Sequence, residues 1–414
     1  MEDVYCVIDL KSFYASCECV ARGLDPFLSP LVVCDPDRSN STIVMSSTPY
    51  LKSRYNIPNV CRRRDLPKVD GLILATPRMS YYIEMSSKIV ELFLDYVAYE
   101  DIHVYSIDES FLHIGPYLKL ANKTPEEFVR DIQIRIKKEF GLTATAGIGP
   151  NMLLAKLCLD LEGKKKYPYI GRWHQEDVQN KLWKVQPITK VWGISTGIER
   201  RLYKLGIRDI EGLAKAKIEL LTSEFGIMGE QLHNMANGID ETNIRKKYIQ
   251  KTENLTLGQT LMRNYSLDEA RLIIREMNDD LCFRLRSKRK KATCVSLYIG
   301  YEDSFGYGFS RQSSLLLPSD ENDYLYDALM GIFDRFALNG PIRRISISFS
   351  GLKDYQYSQL SIFSDGKEEK KHSINKTLDR IINTFGKNAV VRATALTKAS
   401  TILERHMQIG GHKA

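Results

Sequence analysis

Ser106-Ile107-Asp108-Glu109-Ser110 (SIDES) follows an apolar run and decides the fold, because a predicted strand ends there on two adjacent carboxylates. A second apolar strand, Val4–Leu10, delivers Asp9. Adjacent strand residues face opposite sides, so Asp108 and Glu109 can share a site only where the strand ends or bends. Carboxylates suit hard divalent cations, and a pair of such cations can hold both reacting oxygens of a phosphoryl displacement. The pattern favours nucleotidyl transfer, and a solvated acidic turn is the alternative.

Composition bounds the class of protein. The chain has 414 residues, more than one hydrophobic core usually organises, so several domains are expected. Its net charge of +8 permits a polyanionic partner. The 8 cysteines form no C-x-x-C pair and the 7 histidines show no metal-ligand spacing, which predicts reduced core cysteines and no zinc site. The sequence shows neither a leader peptide nor a run of membrane-spanning length, so a cytoplasmic protein without a membrane partner is expected.

Strands and helices alternate in the first part of the chain. Strands are predicted at Val4–Leu10, Leu31–Cys34, Thr42–Met45, Asp70–Leu74, His103–Ile107 and Leu142–Ile148. Helices are predicted from Ser12, across Ile83–Leu94 and at Phe128–Phe140. This order suggests a ferredoxin-like sheet. Helical spacing with glycine breaks between Glu176 and Asn243 then predicts a small all-helical domain.

A second β-α-β-β-α-β unit is predicted after the polar connector Lys246–Thr252. Its strands are Leu255–Met262, Thr293–Tyr301, Gly308–Leu315 and Arg343–Gly351, and its helices are Leu267–Leu285 and Asp323–Phe336. The last strand alternates apolar residues with serines, so one face is buried and the other is polar. The fold class is therefore α+β and multidomain.

A cationic run lies beside this polar sheet face. It consists of Arg284, Arg286, Lys288, Arg289, Lys290 and Lys291. Such blocks commonly contact phosphates, which predicts a DNA-binding surface, and a solvated helix end is the alternative.

Four motifs resemble, in sequence and in order, those of the Y-family translesion DNA polymerases, with a UmuC/UvrX-like bacterial branch as the nearest in pattern. They are VIDLKSFYASCE (7–18), SIDES (106–110), TATAGIGPNMLLAK (143–156) and VWGISTGIERRLYKLGI (191–207). The resemblance implies a right-hand polymerase. Its parts would be a ferredoxin-like palm (1–22 and 76–168), small fingers (23–75), a helical thumb with a helix-hairpin-helix (169–243), a little finger (253–353) and a C-terminal tail (354–414).

The same resemblance implies a template-directed DNA polymerase that bypasses damaged bases with low fidelity and has no proofreading exonuclease. Asp9, Asp108 and Glu109 match the metal-binding carboxylates of the family, with the backbone carbonyl of Leu10 as a further ligand. Two Mg2+ ions per active site are expected. Primer-template DNA and dNTPs are the expected substrates, and damage-induced (SOS) expression is implied by the branch.

Nucleotide contacts also carry over. Tyr14 matches the aromatic residue that stacks under the deoxyribose and excludes a 2′-hydroxyl, although its spacing alone would favour a core position. Phe13 is included beside it, with packing in the palm as the alternative. Lys164 is expected to meet the triphosphate, although the family spacing slips by one residue there, and a solvated helix-end lysine is the alternative.

In the fingers, Ser47 and Tyr50 match residues that grip the triphosphate. The family's arginine position falls on Ser53, so either Lys52 or Arg54 must replace it. The small serines at 46 and 47 would leave a loose roof over the nascent base pair and hence weak geometric checking.

Gly193, Ser195 and Gly197 belong to the helix-hairpin-helix, where glycines at a helix start let N–H groups approach a DNA phosphate. Glycine is common at helix junctions in any case.

The pentapeptide Gln359-Leu360-Ser361-Ile362-Phe363 resembles the bacterial sliding-clamp-binding motif. A short terminal strand is the alternative. Apolar residues from Ile374 to Phe385 then predict an amphipathic helix that either folds back on the core or holds a small accessory protein or a recombinase.

Two other functions stay open. A palm-fold nucleotide cyclase uses paired carboxylates and metals, but the helix-hairpin-helix and the cationic second unit argue against it. A non-catalytic polymerase-like scaffold that recruits partners at stalled forks is expected to lose its carboxylates, and all three are present.

Overall fold

The computed structural model describes residues 3–246, 252–354 and 367–414, with side chains from residue 370 onward in the last range. The chain divides into two compact units, residues 1–247 with 412–414 and residues 248–411. The peptide 359–363 lies outside the described residues. No helix in the described ranges has the length and apolar character needed to cross a bilayer. All 8 cysteines are free thiols, and 7 of them are buried.

In chain order the first unit contains β1 (Tyr5–Leu10), α1 (Phe13–Ala21), β2 (Leu31–Val33), β3 (Ile43–Val44), β4 (Ser46–Ser47), α2 (Pro49–Tyr55), β5 (Cys61–Arg62), β6 (Ile73–Ala75), α3 (Met79–Phe93), β7 (Ile102–Val104), β8 (Glu109–His113), α4 (Gly115–Ala121), α5 (Pro125–Phe140), β9 (Ala144–Gly149), α6 (Met152–Cys158), β10 (Ile170–Arg172), α7 (Asp177–Asn180), α8 (Thr196–Lys204), α9 (Ile210–Lys215), α10 (Ile218–Phe225) and α11 (Ile227–Ala236).

The first sheet has the order β10-β9-β1-β8-β7, with antiparallel pairing except between β9 and β10. Without β10, the strands run fourth, first, third, second, which is the ferredoxin-like order that the sequence predicts. One face packs against α1, α3 and α5, where Ile8, Phe93, Leu112 and Ile132 are almost fully buried. Burial of apolar surface of this kind is the main stabilising contribution to such a layer.

Helix α6 covers the opposite face of the same sheet. Val7 and Phe111 pack there against Ala155 and Leu159. Gly147 on β9 makes this close approach possible, because a Cβ atom there would lie 2.2 Å from the carbonyl oxygen of Ala155. The glycines of the TATAGIG motif thus bring α6 against the sheet.

Two smaller bodies complete the first unit. Strands β4-β2-β6 and the pair β3-β5 share a small core that includes Val32, Val44 and Leu51. Helices α7 to α11 surround a separate core with Leu202 and Ile210. These bodies match the predicted fingers insertion and the predicted all-helical segment in element type.

Two details of the prediction are wrong. The expected strand His103–Ile107 stops at Val104, and Glu109 begins the next strand instead of following the end of the first. The reason is a tight turn in which the N–H groups of Tyr105 and Ser106 both donate to the carbonyl of Glu109, each at 3.0 Å. On α3, Ile83 is 41% exposed rather than part of the buried face.

In chain order the second unit contains β11 (Leu255–Tyr265), α12 (Leu267–Ser287), β12 (Lys290–Tyr301), β13 (Phe309–Ser319), α13 (Asn322–Phe336), β14 (Ile342–Ser350), β15 (Lys353–Asp354), α14 (Lys367–Phe385) and α15 (Ile402–His406). The four long strands form an antiparallel sheet in the order β11-β14-β12-β13. Helices α12 and α13 cover its apolar face, which includes Val295, Leu297, Ile347 and Phe349.

The predicted C-terminal helix is present as α14, and together with the following segment it packs on α12. We call residues 370–411 the C-terminal arm. Arg286 on α12 holds Asp379 of the arm with two hydrogen bonds of 2.6 and 2.8 Å. Glu276, also on α12, is 3% exposed and accepts hydrogen bonds from the arm. The arm therefore folds back, which is one of the two outcomes that the sequence allowed.

Candidate active site

Asp9 and Glu109 lie directly opposite each other on the neighbouring antiparallel strands β1 and β8. Both side chains point to the sheet face that α6 covers, because Val7 and Phe111, two residues away on each strand, also lie there. The two side chains are only 15% and 8% exposed. The fold therefore brings two carboxylates together at low solvent exposure, where like charges repel.

Asp108 lies in the turn before β8. Its main chain is fixed to β1, because the Leu10 N–H donates to the carbonyl oxygen of Asp108 at 2.9 Å. The Ser106 hydroxyl donates to Asp108 Oδ1 at 2.8 Å. Burial raises the pKa of Asp9, and the nearby charge of Asp108 adds to that increase. The Leu10 side chain is in the core, so only its backbone can take part in the site.

Two lysines neutralise the facing carboxylates. Lys164 Nζ lies 2.9 Å from Asp9 Oδ2, and Lys156 Nζ donates to Glu109 Oε2 at 2.8 Å. Burial raises the pKa of Asp9 and of Glu109, and the ion pairs with these lysines oppose the increase. Burial also disfavours charged Lys164, but the adjacent carboxylates outweigh this and raise its pKa. All four groups are therefore held as ion pairs.

The helix that carries these lysines explains the slipped spacing at Lys164. Helix α6 continues as a π-helical turn, Leu159–Gly163, which we call the π turn. The Lys164 N–H donates to the carbonyl of Leu159 at 3.0 Å, the five-residue spacing of a π helix. A π turn accommodates one extra residue, and it returns Lys164 to the side of the helix that meets Asp9.

The donor set fits divalent cations in chemistry but not yet in arrangement. Glu109 Oε1 is buried and has no hydrogen-bond partner among the described residues. Carboxylate oxygens and a backbone carbonyl are the ligands that Mg2+ takes. Yet among the described residues no three acidic, His or Cys side chains are close enough together to hold a metal ion. In this conformation the ammonium groups of Lys164 and Lys156 lie against Asp9 and Glu109, and the metal site made of the three carboxylates stays a prediction.

Tyr14 lies at the edge of this site. It follows the turn after β1, and its ring packs against Phe13 and Tyr82 at centroid distances of 5.7 and 4.8 Å. Burial raises the pKa of Tyr14, with a further contribution from Asp108, which places the phenol near the carboxylates. Phe13 is 3% exposed in the core, so its predicted side-chain contact with a nucleotide is not supported.

The fingers residues separate into two groups. Lys52 on α2 faces the site, because its pKa is lowered by burial and responds to the charges of Asp9, Lys164 and Asp108. Arg54 is exposed, and its guanidinium lies 5.9 Å from the Tyr50 ring. Of the two candidates for the third triphosphate contact, Lys52 is the half-buried one that interacts electrostatically with the carboxylates.

Ser47 does not lie on an open surface. It is 2% exposed in β4, and its hydroxyl has no partner among the described residues. Ser46 is 8% exposed. Both serines are therefore enclosed in the small sheet β4-β2-β6, and the loose roof over the nascent base pair stays a prediction.

The segment predicted as a helix-hairpin-helix begins with a turn that leads into α8. Gly193 adopts a φ of +89°, a conformation that favours glycine. Ser195 is the N-cap, and its Oγ accepts from the Ile198 N–H at 3.4 Å. Gly197 lies in the first helical turn. This end of α8 is exposed, as a phosphate contact requires.

The cationic run does not form one surface. Arg286 is held by Asp379, which removes it as a phosphate contact. Lys288 pairs with Glu253 and Lys290 pairs with Asp354, each at 2.6 Å. Arg284 and Arg289 are exposed, and Lys291 is half-buried at the start of β12. The sequence could not show these internal partners, because they lie far away along the chain.

Three site residues were not predicted. Lys156 ends the TATAGIGPNMLLAK motif, and a lysine within a buried apolar helix was the available signal. Asp160 lies on the π turn between the two site lysines. Lys11 donates to the carbonyl of Lys164 at 3.0 Å.

Comparisons with known proteins agree with this geometry. Residues 8–160 match the impB/mucB/samB family, and residues 255–362 match the C-terminal domain of that family. A Bacillus subtilis (strain 168) relative named as the UV-damage repair protein UvrX is 38% identical over 100% of this chain and 98% of its own length. DNA polymerase IV 2 of the same organism is 32% identical, with 99% of each chain covered.

A solved structure has the same fold. The Y-family DNA polymerase chimera Dbh-Dpo4(243-245)-Dbh superposes with a TM-score of 0.66 at 21% identity, covering 85% of this chain and 99% of the chimera. The chain belongs to the Y family of translesion DNA polymerases. It is a metal-dependent, DNA-directed DNA polymerase of a family without proofreading, and its substrates are primer-template DNA and dNTPs. The predicted α+β right-hand fold is thereby confirmed.

Proposed function

We propose that this polymerase copies damaged templates with low fidelity at a two-magnesium site. Asp9, Asp108, Glu109 and the backbone carbonyl of Leu10 would hold the ions. The observation that carries the proposal is the direct opposition of Asp9 and Glu109 across two antiparallel strands. A pair of buried carboxylates facing each other repels unless cations lie between them.

We assign the palm to residues 1–22 and 76–168, the fingers to 23–75, the thumb to 169–243 and the little finger to 253–353. The apolar cores support this assignment in outline, because the little finger has a core of its own and the fingers have a small one. The palm core also takes in Leu31, Val33 and Ala75 of the fingers, and the thumb core takes in Leu154 and Leu157 of α6.

The site residues would divide the reaction between them. Bound magnesium would lower the pKa of the primer 3′-hydroxyl and stabilise charge on the triphosphate. Lys164 and Lys52 would orient the triphosphate, since both are charged groups directed at the carboxylates. Tyr14 would pack under the deoxyribose and leave no room for a 2′-hydroxyl. Lys156 would keep Glu109 oriented.

DNA would be held by backbone contacts that are indifferent to sequence. The exposed start of α8 offers N–H groups to a phosphate. The open face of the second sheet carries Thr256, Ser348, Ser296 and Gln312 side by side across four strands, a row without carboxylates. Of the cationic run, Arg284 and Arg289 would add phosphate contacts, whereas Arg286 would not.

A bacterial sliding clamp would bind residues 359–363, which lie outside the described residues. In sequence the peptide lies between β15 and α14, which both belong to the second unit. An accessory protein would bind the exposed side of α14, because the side that carries Asp379 is already held by Arg286.

The deciding experiment is extension of a primed template across one abasic site, with and without a sliding clamp. The full chain should extend past the lesion, and the clamp should increase the yield. A Gln359→Ala, Ile362→Ala, Phe363→Ala variant should keep the unstimulated rate and lose only the increase. Product made without a primer would favour the cyclase alternative, and failure to pass the lesion on an intact primer would contradict the proposal.

A further inference from the structure

Five charged side chains form an alternating chain across the active site. Asp9 contacts Lys164, Lys164 contacts Asp160, Asp160 contacts Lys156, and Lys156 contacts Glu109. The closest N–O separations along this chain are 2.9, 2.9, 3.3 and 2.8 Å. Asp160 is the central member, and it is the carboxylate that both lysines share.

Helix α6 and the π turn that continues it carry the three central groups. Lys156, Asp160 and Lys164 follow each other at intervals of four residues, so they lie along one side of the helix. Their side chains are 7%, 25% and 35% exposed. Low exposure strengthens each attraction relative to a surface pair.

A divalent cation on Asp9 and Glu109 would repel the lysines that now occupy those carboxylates. Each lysine would then need another anion nearby, because a buried ammonium group without a partner is costly. Asp160 already contacts both lysines and lies outside the predicted ligand set. It is therefore placed to retain them when their other partners are taken.

We propose that Asp160 is a positioning residue that draws Lys156 and Lys164 away from Asp9 and Glu109 when divalent cations bind. This rests on the proposed metal site. Without Asp160, Asp9 and Glu109 are the remaining ion-pair partners of the two lysines among the described residues, so the lysines compete with the ions more strongly. Residues that orient metal ligands from the next layer commonly change metal affinity by about 10- to 100-fold.

The test is a titration of the full chain with Mn2+, without DNA or nucleotide. The electron paramagnetic resonance signal of free Mn2+ measures how much of the ion is bound. Asp160→Asn should raise the Kd for Mn2+ by about tenfold or more. Asp160→Glu, which keeps the charge, should recover part of the affinity. Glu162→Gln is the matched control, because Glu162 lies on the same π turn but pairs with Lys181 at 3.2 Å. It should leave the Kd nearly unchanged.

A second background isolates the role of the lysines. In Lys156→Met/Lys164→Met, the Asp160→Asn change should raise the Kd by a clearly smaller factor, since no lysines remain to be positioned. Lys164→Met alone, at a partly exposed site, gives the same comparison with less risk to folding. An equal factor with and without the lysines, or no effect of Asp160→Asn, would overturn the proposal.

Asp108→Asn separates this inference from the proposed function. If Asp108→Asn binds Mn2+ as tightly as the unchanged chain, the metal site itself is wrong. If Asp108→Asn loses Mn2+ while Asp160→Asn binds normally, the metal site stands and the positioning role is rejected.

Discussion

The two large sheets share the element order β-α-β-β-α-β but differ in where they carry charge. The first has Asp9 and Glu109 opposite each other under α6, each matched by a lysine. The second has a row of hydroxyl and amide side chains on its open face, in which Thr256 Oγ1 and Ser348 Oγ lie 2.8 Å apart. One sheet concentrates charge at low exposure for chemistry, and the other offers neutral polar groups along a surface.

Strand order underlies this difference. In the first sheet the first and third strands of the unit are neighbours, which brings Asp9 beside Glu109. In the second sheet the fourth strand separates the first from the second. The same succession of helices and strands therefore supports two functions, and pairing decides which side chains meet.

The largest expected effect comes from Asp108→Asn in the first sheet. Loss of a ligand charge at the metal site should cost about 4 kcal/mol of transition-state stabilisation, or about 10³-fold in the rate of nucleotide incorporation. Primer-template affinity should stay near normal in a filter-binding assay.

Asp131→Asn, on the exposed side of α5, is the control, because Asp131 pairs with Lys123 away from the site. Retained turnover in Asp108→Asn would reverse the assignment of chemistry to the first sheet.

Tyr14→Ala should change sugar selection without removing activity. The ring fills space beside Phe13 and Tyr82, and its loss should raise UTP relative to dTTP incorporation by about 10- to 100-fold. Single-nucleotide kinetics measure the ratio. Tyr81→Ala, in the same aromatic group, is the control. An unchanged ratio would show that another residue excludes the 2′-hydroxyl.

Ser348→Glu tests the second sheet. A carboxylate in the centre of the hydroxyl row should repel DNA phosphates and weaken primer-template binding by about 3- to 10-fold at low salt. The loss should shrink as salt rises. Fluorescence anisotropy across a salt series measures it, with Ser373→Glu on α14 as the matched change. Equal weakening by both variants would mean that the row has no particular role.

The smallest effect concerns the stability of the second unit. Glu269 caps α12, and its hydrogen bonds with Arg263 and Ser266 lower its pKa from 4.5 to about 2. Because the pKa of Glu269 is lower in the folded state, its ionised carboxylate stabilises the folded protein above about pH 4.5. This stabilisation is lost as the pH falls toward 2. At pH 7, Glu269→Gln should cost about 0.5–1 kcal/mol, because the group is partly exposed.

Urea unfolding at pH 7 and at pH 3 measures the difference in the free energy of unfolding between the unchanged chain and Glu269→Gln. This difference should be smaller at pH 3. Asp268→Asn, in the same helical turn, is the control. A difference independent of pH would show that the cap does not act through its charge.

Sequence periodicity predicted most of the architecture. The six elements of the second sheet and its helices begin and end within a few residues of the predicted bounds, since each alternates or repeats at the period of its type. The carboxylates Asp9 and Glu109 were selected because each adjoined an apolar strand. These local patterns do not show which strands pair or which distant side chains meet.

The missed features depend on partners distant in sequence. The sequence predicts Arg286 as a surface cation. In the structure it pairs with Asp379, which lies 93 residues later in the chain. Lys156 and Asp160 are recognisable as site residues only in the folded structure, in which Gly147 lets α6 pack closely against the sheet. The slipped spacing before Lys164 has its physical cause in the π turn, which no periodicity at 3.6 residues could indicate.

The C-terminal arm determines where the second unit can end. The Glu276 carboxylate is almost fully enclosed and takes its donors from Ser400 and Thr401, beside the buried Ile402. A premature stop codon before Ser400 would spare both sheets but would remove these donors and uncover the side of α12 that carries Glu276, at about 1–3 kcal/mol. Truncation before Ser400 should therefore shorten the lifetime of the folded protein, and this unit is complete only once synthesis has passed Ile402.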